Sequence, residues 1–268
     1  RKEAVDFILA VGGGSVCDYG KAVAGSAYCE QDPWEYYFNN FGEMTCRWIP
    51  VGCVLTMAGT GSEMDSCSVI SKHSENRKKF YYFRNPDFSI LNPVYTYTVP
   101  KHHTVAGIYD IMSHILEQYL SGTDDNTTDY IAEGLMRSLV VSSRKVLGNP
   151  EDYEARSNIM WTATLALNGL IGAGVPNDWA THMLGHEITA LHGLDHAQTL
   201  AVVLPAMLQV RRAEKREKLL QYAERVWNLK DGDEDTRIDQ AIEKTRQFFE
   251  SMQVPTRLSG YGIGKDAI

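Results

Sequence analysis

Asp110 and His114, in the stretch GIYDIMSHILEQY, and His182 and His196, in THMLGHEITALHGLDHAQ, are four side chains able to ligate a metal. In a helix, residues four apart share a face, so Asp110 with His114, and His182 with His186, can each aim at one point between helices. Three imidazoles and one carboxylate form a mixed nitrogen and oxygen set suited to Fe(II) or Zn(II), without the thiolates of a closed structural zinc site. A lone helical histidine is more often a core or surface residue than a ligand, and that reading stays open for each pair taken singly. Density weighs against it: His114, His182, His186, His192 and His196 all fall in or beside expected helices. The HExxH arrangement of a zincin protease is excluded, because Met183 follows His182 where that motif needs Glu.

A second signal lies near the start. Phe7 to Val11 reads FILAV, a short apolar run that predicts a buried strand, and Gly12, Gly13, Gly14 and Ser15 follow at once. Small and apolar residues at helical spacing come next, with Ser15 as the expected N-cap and Asp18 three residues on, in the manner of a capping box. Glycines let a phosphate approach the backbone, and the first N–H groups of a helix form an anion site for which a diphosphate is the natural ligand. The string is neither GxGxxG nor a P-loop, and a plain strand-to-helix turn accounts for it equally well. The segment Thr56-Met57-Ala58-Gly59-Thr60-Gly61-Ser62-Glu63 follows the apolar run WIPVGCVL. Such a loop, at the C-terminal edge of an open sheet, is where α/β proteins hold ligands, although Gly and Thr are also ordinary turn formers.

Positioning these residues requires two kinds of architecture. Before Pro93 and Pro100, the short apolar segments FILAV, WIPVGCVL, SCSVIS and DFSILNP alternate with turns and one helix, as in an α/β layer. Beyond them the 3.6-residue period predicts helices from Thr104 to Leu120, Asn126 to Leu147, Tyr153 to Leu170, Trp179 to Leu191, Ala197 to Val210, Arg216 to Trp227 and Asp235 to Met252. The expected division is residues 1–98 for the α/β part and 99–268 for the helical part, since 268 residues exceed the usual single domain. A net charge of −8 and pI near 5.5 argue against a nucleic-acid surface. The run RRAEKREK from Arg211 to Lys218 carries two glutamates and reads as a solvated face. Five cysteines without CxxC spacing suggest reduced thiols and a cytoplasmic setting. No apolar run approaches the ~20 residues that cross a bilayer, so the Asn126-Thr127-Thr128 sequon is taken as incidental.

The strings GGGSVCDYGK, TMAGTGSE, AGIYDIMSHILEQY, ALNGLIGAGVPNDWATHMLGHEITALHGLDHAQTLAVVLP and LLQYAERVWNL together resemble the iron-containing (group III) alcohol dehydrogenases, in the branch of butanol dehydrogenases and NADPH-dependent aldehyde reductases. The resemblance implies a parallel-sheet dinucleotide-binding domain, here truncated, followed by an all-α metal-binding domain in a dehydroquinate synthase-like architecture. It implies one divalent metal, Fe2+ or Zn2+, on Asp110, His114, His182 and His196. A dinucleotide, NADP(H) ahead of NAD(H), would lie across Gly13, Gly14, Ser15, Asp18, Thr56, Thr60 and Ser62, with Lys79 near its ribose. His186 matches an additional active-site histidine outside the metal shell. Its expected role is to relay the alcohol proton, titrating between about pH 6 and 8; His192 has no assigned role.

The implied reaction is hydride transfer between the nicotinamide and a small primary alcohol or aldehyde such as butanol or butanal, in a homodimer without nucleic-acid or membrane partners. The chain opens at Arg1 directly on the strand before the glycine turn, and reads as a fragment lacking the segment that recognises the ribose 2′ position. The resemblance implies a proline at Met57 or its neighbour, and its replacement in TMAGTGSE alters loop stiffness and leaves the hydroxyls in place. The competing readings are a polyol (glycerol-type) dehydrogenase of the same superfamily, a metal-dependent hydrolase, and an inactive metal-binding oligomerisation module.

Overall fold

The computed structural model describes residues 3–265, so the outermost ends of the two expected parts, residues 1–2 and 266–268, lie outside the described residues. The α/β part contains β1 (Ile8–Gly12), α1 (Gly14–Ser26), β2 (Val51–Leu55), β3 (Cys67–Lys72), β4 (Arg77–Tyr82) and β5 (Phe88–Leu91). β1, β2 and β5 form a parallel sheet in that order, with Ala10 opposite Cys53 and Cys53 opposite Ser89. The central strand β2, VGCVL, is almost wholly buried, which is why its apolar run is unbroken. α1 lies against β1 and β2 through Cys17 and Ala24. The expected capping box is not formed. The helix begins two residues early, with Gly13 as N-cap and no side-chain cap bond, because Asp18 is engaged elsewhere.

β3 and β4 pair antiparallel as a hairpin, joined by a turn in which Asn76 takes φ 48°. Neither β4 nor the single π-helical turn Trp34–Asn39 was expected from the apolar pattern. The two stabilise each other: Tyr37 packs its ring 4.8 Å from Tyr81 and 5.3 Å from Phe83. Strand alternation then sends Lys78, Phe80 and Tyr82 to the opposite face, toward the interior cavity.

The helical part comprises α2 (Lys101–Tyr119), α3 (Thr127–Gly148), α4 (Tyr153–Leu167), α5 (Ala180–His192), α6 (His196–Val210), α7 (Arg216–Arg225) and α8 (Glu234–Glu250), close to the expected boundaries. α4 stops short of Leu170 because Gly169 adopts φ +88°. Asn126 of the sequon caps α3 instead, accepting from the Asp129 N–H at 3.2 Å. α2 is buried along nearly its whole length and forms the core with α3, α4, α6 and α8. An all-round buried helix is the mark of a bundle centre, so anything α2 carries inward is shielded from bulk water. Gly107 on α2 touches the loop after β2 backbone to backbone: a Cβ there would stand 2.1 Å from the carbonyl oxygen of Ala58. Among the described residues, no helix is long and apolar enough to cross a membrane.

Candidate active site

Three helices converge on one carboxylate oxygen. Asp110 and His114 come from α2, His182 and His186 from α5, and His196 is the first residue of α6. The Nε2 atoms of His114 and His182 each lie 3.5 Å from Asp110 Oδ1, and that of His196 lies 3.7 Å away. The His114 and His182 rings stack at 4.6 Å. Ligand atoms of Asp110, His182 and His196 all fall within 4.8 Å of one another. Two donors each ~2.1 Å from a shared ion stand roughly 3 to 3.5 Å apart, so this packing fits one divalent cation. The hydrogen bonding agrees: among the described residues, Asp110 Oδ1 and His182 Nε2 are buried without any hydrogen-bond partner. Such atoms cost about 1–3 kcal/mol each when left unpaired, and a cation would satisfy both.

Electrostatics reinforce the fit. Burial works to raise the Asp110 carboxyl, but the facing His114, His182 and His196 hold it well below the usual carboxylate range. Burial carries His114 down to about 4 against the pull of Asp110. It also depresses His196, helped by the charge of Lys78. His114 and His196 therefore present the neutral imidazole that a metal requires. His182 runs the other way: burial lowers it, yet Glu117 and Asp110 bring it up to about 9. Glu117 accepts from the backbone N–H of Thr181 at 2.7 Å and of His182 at 3.2 Å, and bonds to His182 Nδ1. Glu117 was not singled out from the sequence, although its place seven residues after Asp110 on a helix puts it on the same face.

A cavity of about 780 Å³ runs from this cluster to the N-terminus of α1. Gly14, Ser15, Asp18, Thr60 and Ser62 line its far end. No acidic residue occupies the first turn of α1, so nothing competes there for an anion. Asp18 serves the loop: it accepts from Ser62 Oγ at 2.6 Å and from Val69 N–H at 3.2 Å. Lys21, fully buried, donates to the carbonyl of Ser62 and the carboxylate of Asp65, each at 2.8 Å. α1 thus holds the segment from Thr60 to Cys67 against its own side.

Three expected cofactor residues are not brought to the cavity wall. Gly13 sits behind, where a Cβ would meet Met57 Cβ at 3.3 Å. Thr56 closes the sheet through its N–H to Gly12 O, and the wall begins at Met57. Lys79 faces away and donates to Asn39 Oδ1 at 2.6 Å; the strand register gives the cavity Lys78 instead. Burial lowers Lys78, while Asp110 and Asp18, at the two ends of the cavity, draw it back up. His186 lines the cavity 4.9 Å ring to ring from His196, and burial together with Lys78 pushes it down to about 3. His192 is exposed at the end of α5, outside the cavity. None of the five cysteines is disulfide-bonded.

Two family models match the chain, "iron-containing alcohol dehydrogenase" over residues 1–93 and "Fe-containing alcohol dehydrogenase family, C-terminal" over residues 104–268. The NADPH-dependent aldehyde reductase YqhD of Escherichia coli (strain K12) is 51% identical over 273 residues, covering 100% of this chain and 70% of the relative. A crystal structure of E. coli K-12 YqhD superposes with a TM-score of 0.95 at 51% identity, over 98% of this chain and 68% of that one. The NADH-dependent butanol dehydrogenase A of Clostridium acetobutylicum is 37% identical over 275 residues, again 100% of this chain and 70% of the relative. The chain belongs to the iron-containing alcohol dehydrogenase family. It is an NAD(P)-dependent, metal-dependent oxidoreductase of the alcohol dehydrogenase type, and the hydrolase alternative is not favoured.

Proposed function

We propose that this chain interconverts small aldehydes and their primary alcohols, with butanal-like compounds as the substrate class and NADPH as the preferred reductant. The observation that carries this reading is the convergence of His114, His182 and His196 on Asp110 Oδ1, at one end of a cavity whose other end is the N-terminus of α1. In this reading Asp110, His114, His182 and His196 hold a divalent ion, Fe2+ or Zn2+, and Gly14, Ser15, Thr60 and Ser62 face the dinucleotide diphosphate. The ion supplies Lewis acidity toward the substrate oxygen, and the nicotinamide supplies the hydride.

The remaining work belongs to the protein. Asp110, kept anionic, neutralises part of the cluster's positive charge. His186, buried and neutral beside His196, is placed to accept the hydroxyl proton as an alcohol is oxidised and to return it in the reverse direction. Lys78 projects a cation between the two ends of the cavity, where anionic cofactor groups would lie. Trp179 stands edge-on to His114 and His182, at 6.2 Å and 5.6 Å, and with Met183 offers an apolar wall to a short alkyl chain.

NADPH preference rests on the similarity to the E. coli reductase, whereas the clostridial relative is named for NADH. The reading also takes the enzyme to be a cytoplasmic homodimer, for which size-exclusion chromatography of the full-length protein is the check. The decisive assay follows absorbance of the reduced nicotinamide with butanal, after anaerobic loading with Fe2+ or Zn2+ separately. NADPH oxidation with butanal, faster than NADH oxidation and without comparable glycerol oxidation, is the expected result. Turnover of glycerol in preference to butanol would move the chain to the polyol dehydrogenases.

A further inference from the structure

Glu117 touches no expected substrate atom, yet its side chain is only 5% exposed and is committed entirely to the first turn of α5. One oxygen accepts from two backbone N–H groups, those of Thr181 and His182, at 2.7 Å and 3.2 Å. These belong to the set of N–H groups that every helix start leaves without an intrahelical acceptor. The other oxygen bonds to Nδ1 of His182. An ionised carboxylate can only accept hydrogen bonds, so Nδ1 must carry the hydrogen. With Nδ1 donating to Glu117, the ring points Nε2 at Asp110 Oδ1, 3.5 Å away, and among the described residues Nε2 has no hydrogen-bond partner.

We infer that Glu117 is a positioning residue for the metal: it fixes the tautomer and orientation of His182 so that Nε2 is the donor atom, and it strengthens that donor by accepting the hydrogen on the far side of the ring. The inference rests on the proposed metal set of Asp110, His114, His182 and His196. Carboxylate–histidine pairs of this kind typically change metal affinity by roughly 10- to 100-fold when the carboxylate is altered. A structural role would differ in one respect. Capping α5 needs only an acceptor facing Thr181 and His182, whereas orienting the metal donor needs an acceptor facing Nδ1.

Glu117→Gln separates the two. Its amide oxygen can still accept from the two backbone N–H groups, but the amide NH2 then faces Nδ1 and donates to it, forcing the hydrogen onto Nε2. Cobalt(II) or zinc(II) affinity is measured by chelator competition on the wild-type chain, Glu117→Gln and His196→Ala, with thermal unfolding of each metal-free protein alongside. The expected result is stoichiometric metal in the wild type, loss in His196→Ala, and a Kd raised roughly tenfold or more in Glu117→Gln, at a metal-free Tm close to that of the wild type. Wild-type affinity in Glu117→Gln, with His196→Ala empty, overturns the role of Glu117 and leaves the metal set standing. No stoichiometric metal in the wild type overturns both. A measurement that does not depend on the variant folding is the 15N spectrum of the zinc-loaded wild type. Hydrogen on Nδ1 of His182 with Nε2 bound to metal is expected, and metal on Nδ1 overturns the proposal.

Discussion

A Cβ placed on Gly14 would stand 2.1 Å from Oγ1 and 2.4 Å from Cγ2 of Thr60, so the two chain segments that crown the parallel sheet are interlocked at these two residues. Gly14→Val therefore displaces Thr60 as well as filling the approach to the helix N-terminus. NADPH titrated against the variant by fluorescence should show a Kd raised at least roughly tenfold, about 1.4 kcal/mol. An unchanged Kd in a folded variant would reduce Gly14 to a packing residue.

His196→Ala removes one of the three imidazoles that converge on Asp110. Metal content by elemental analysis should fall from one equivalent to near zero, and activity should fall with it. A full equivalent of metal in the variant is incompatible with the proposed ligand set.

His186→Ala should keep its metal and lose roughly 10²-fold in kcat, the lower end of what a general acid or base contributes. The sequence suggests an imidazole titrating between about pH 6 and 8, but burial and Lys78 hold His186 down to about 3. It is then neutral across that whole interval, and its removal should lower the rate evenly from pH 6 to 8. A limb of the pH–rate profile that vanishes in the variant would show that His186 titrates there after all.

The register of β4 gives paired variants. Lys78→Ala should raise KM for NADPH several-fold, because Lys78 faces the cavity, while Lys79→Ala should leave KM unchanged, because Lys79 is spent on Asn39. Equal effects would mean that the strand is turned differently in solution.

Asp65 offers a test of stability. Burial pushes its carboxyl up from 3.8 to about 7, with Lys21 pulling against the rise. Since the folded pKa exceeds the unfolded one, the stabilisation from this group is complete below about pH 4 and is lost as pH rises through 7. Urea unfolding at pH 4.5 and 7.5 should show a smaller loss on going up in pH for Asp65→Asn than for the wild type. Identical differences would remove Asp65 as a source of pH dependence.

Helical periodicity was the most readable part of this chain. Spacing places α2 and α5 near their observed bounds, although α2 is buried nearly all round, whereas on α5 only Thr181, His182, Gly185 and His186 are buried. The spacing within each pair, Asp110 with His114 and His182 with His186, is legible in the sequence, yet whether the α2 and α5 pairs face each other depends on tertiary packing that spacing does not encode. β4 is hidden from the apolar pattern because RKKFYY mixes charge and aromatics on both faces: one side packs on Tyr37 and Phe38, and the other walls the cavity. The family resemblance points to Lys79, but only a strand register distinguishes it from Lys78, because neighbours in a strand point in opposite directions. Local pattern alone points to Ser15 as a cap, whereas Asp18, its expected partner, is held by Ser62 and Val69 from across the fold.

The contact between Gly107 and Ala58 bears on motion. Loop and helix meet there with no side chain between them on the helix side, and Asp110 follows less than one turn later. Rotamer hops, which occur in picoseconds to nanoseconds, cannot widen or narrow a separation bounded by main-chain atoms. Any change in the reach between the loop after β2 and the Asp110 carboxylate must therefore come from the loop or the helix shifting as a body, on the slower timescale of collective displacement.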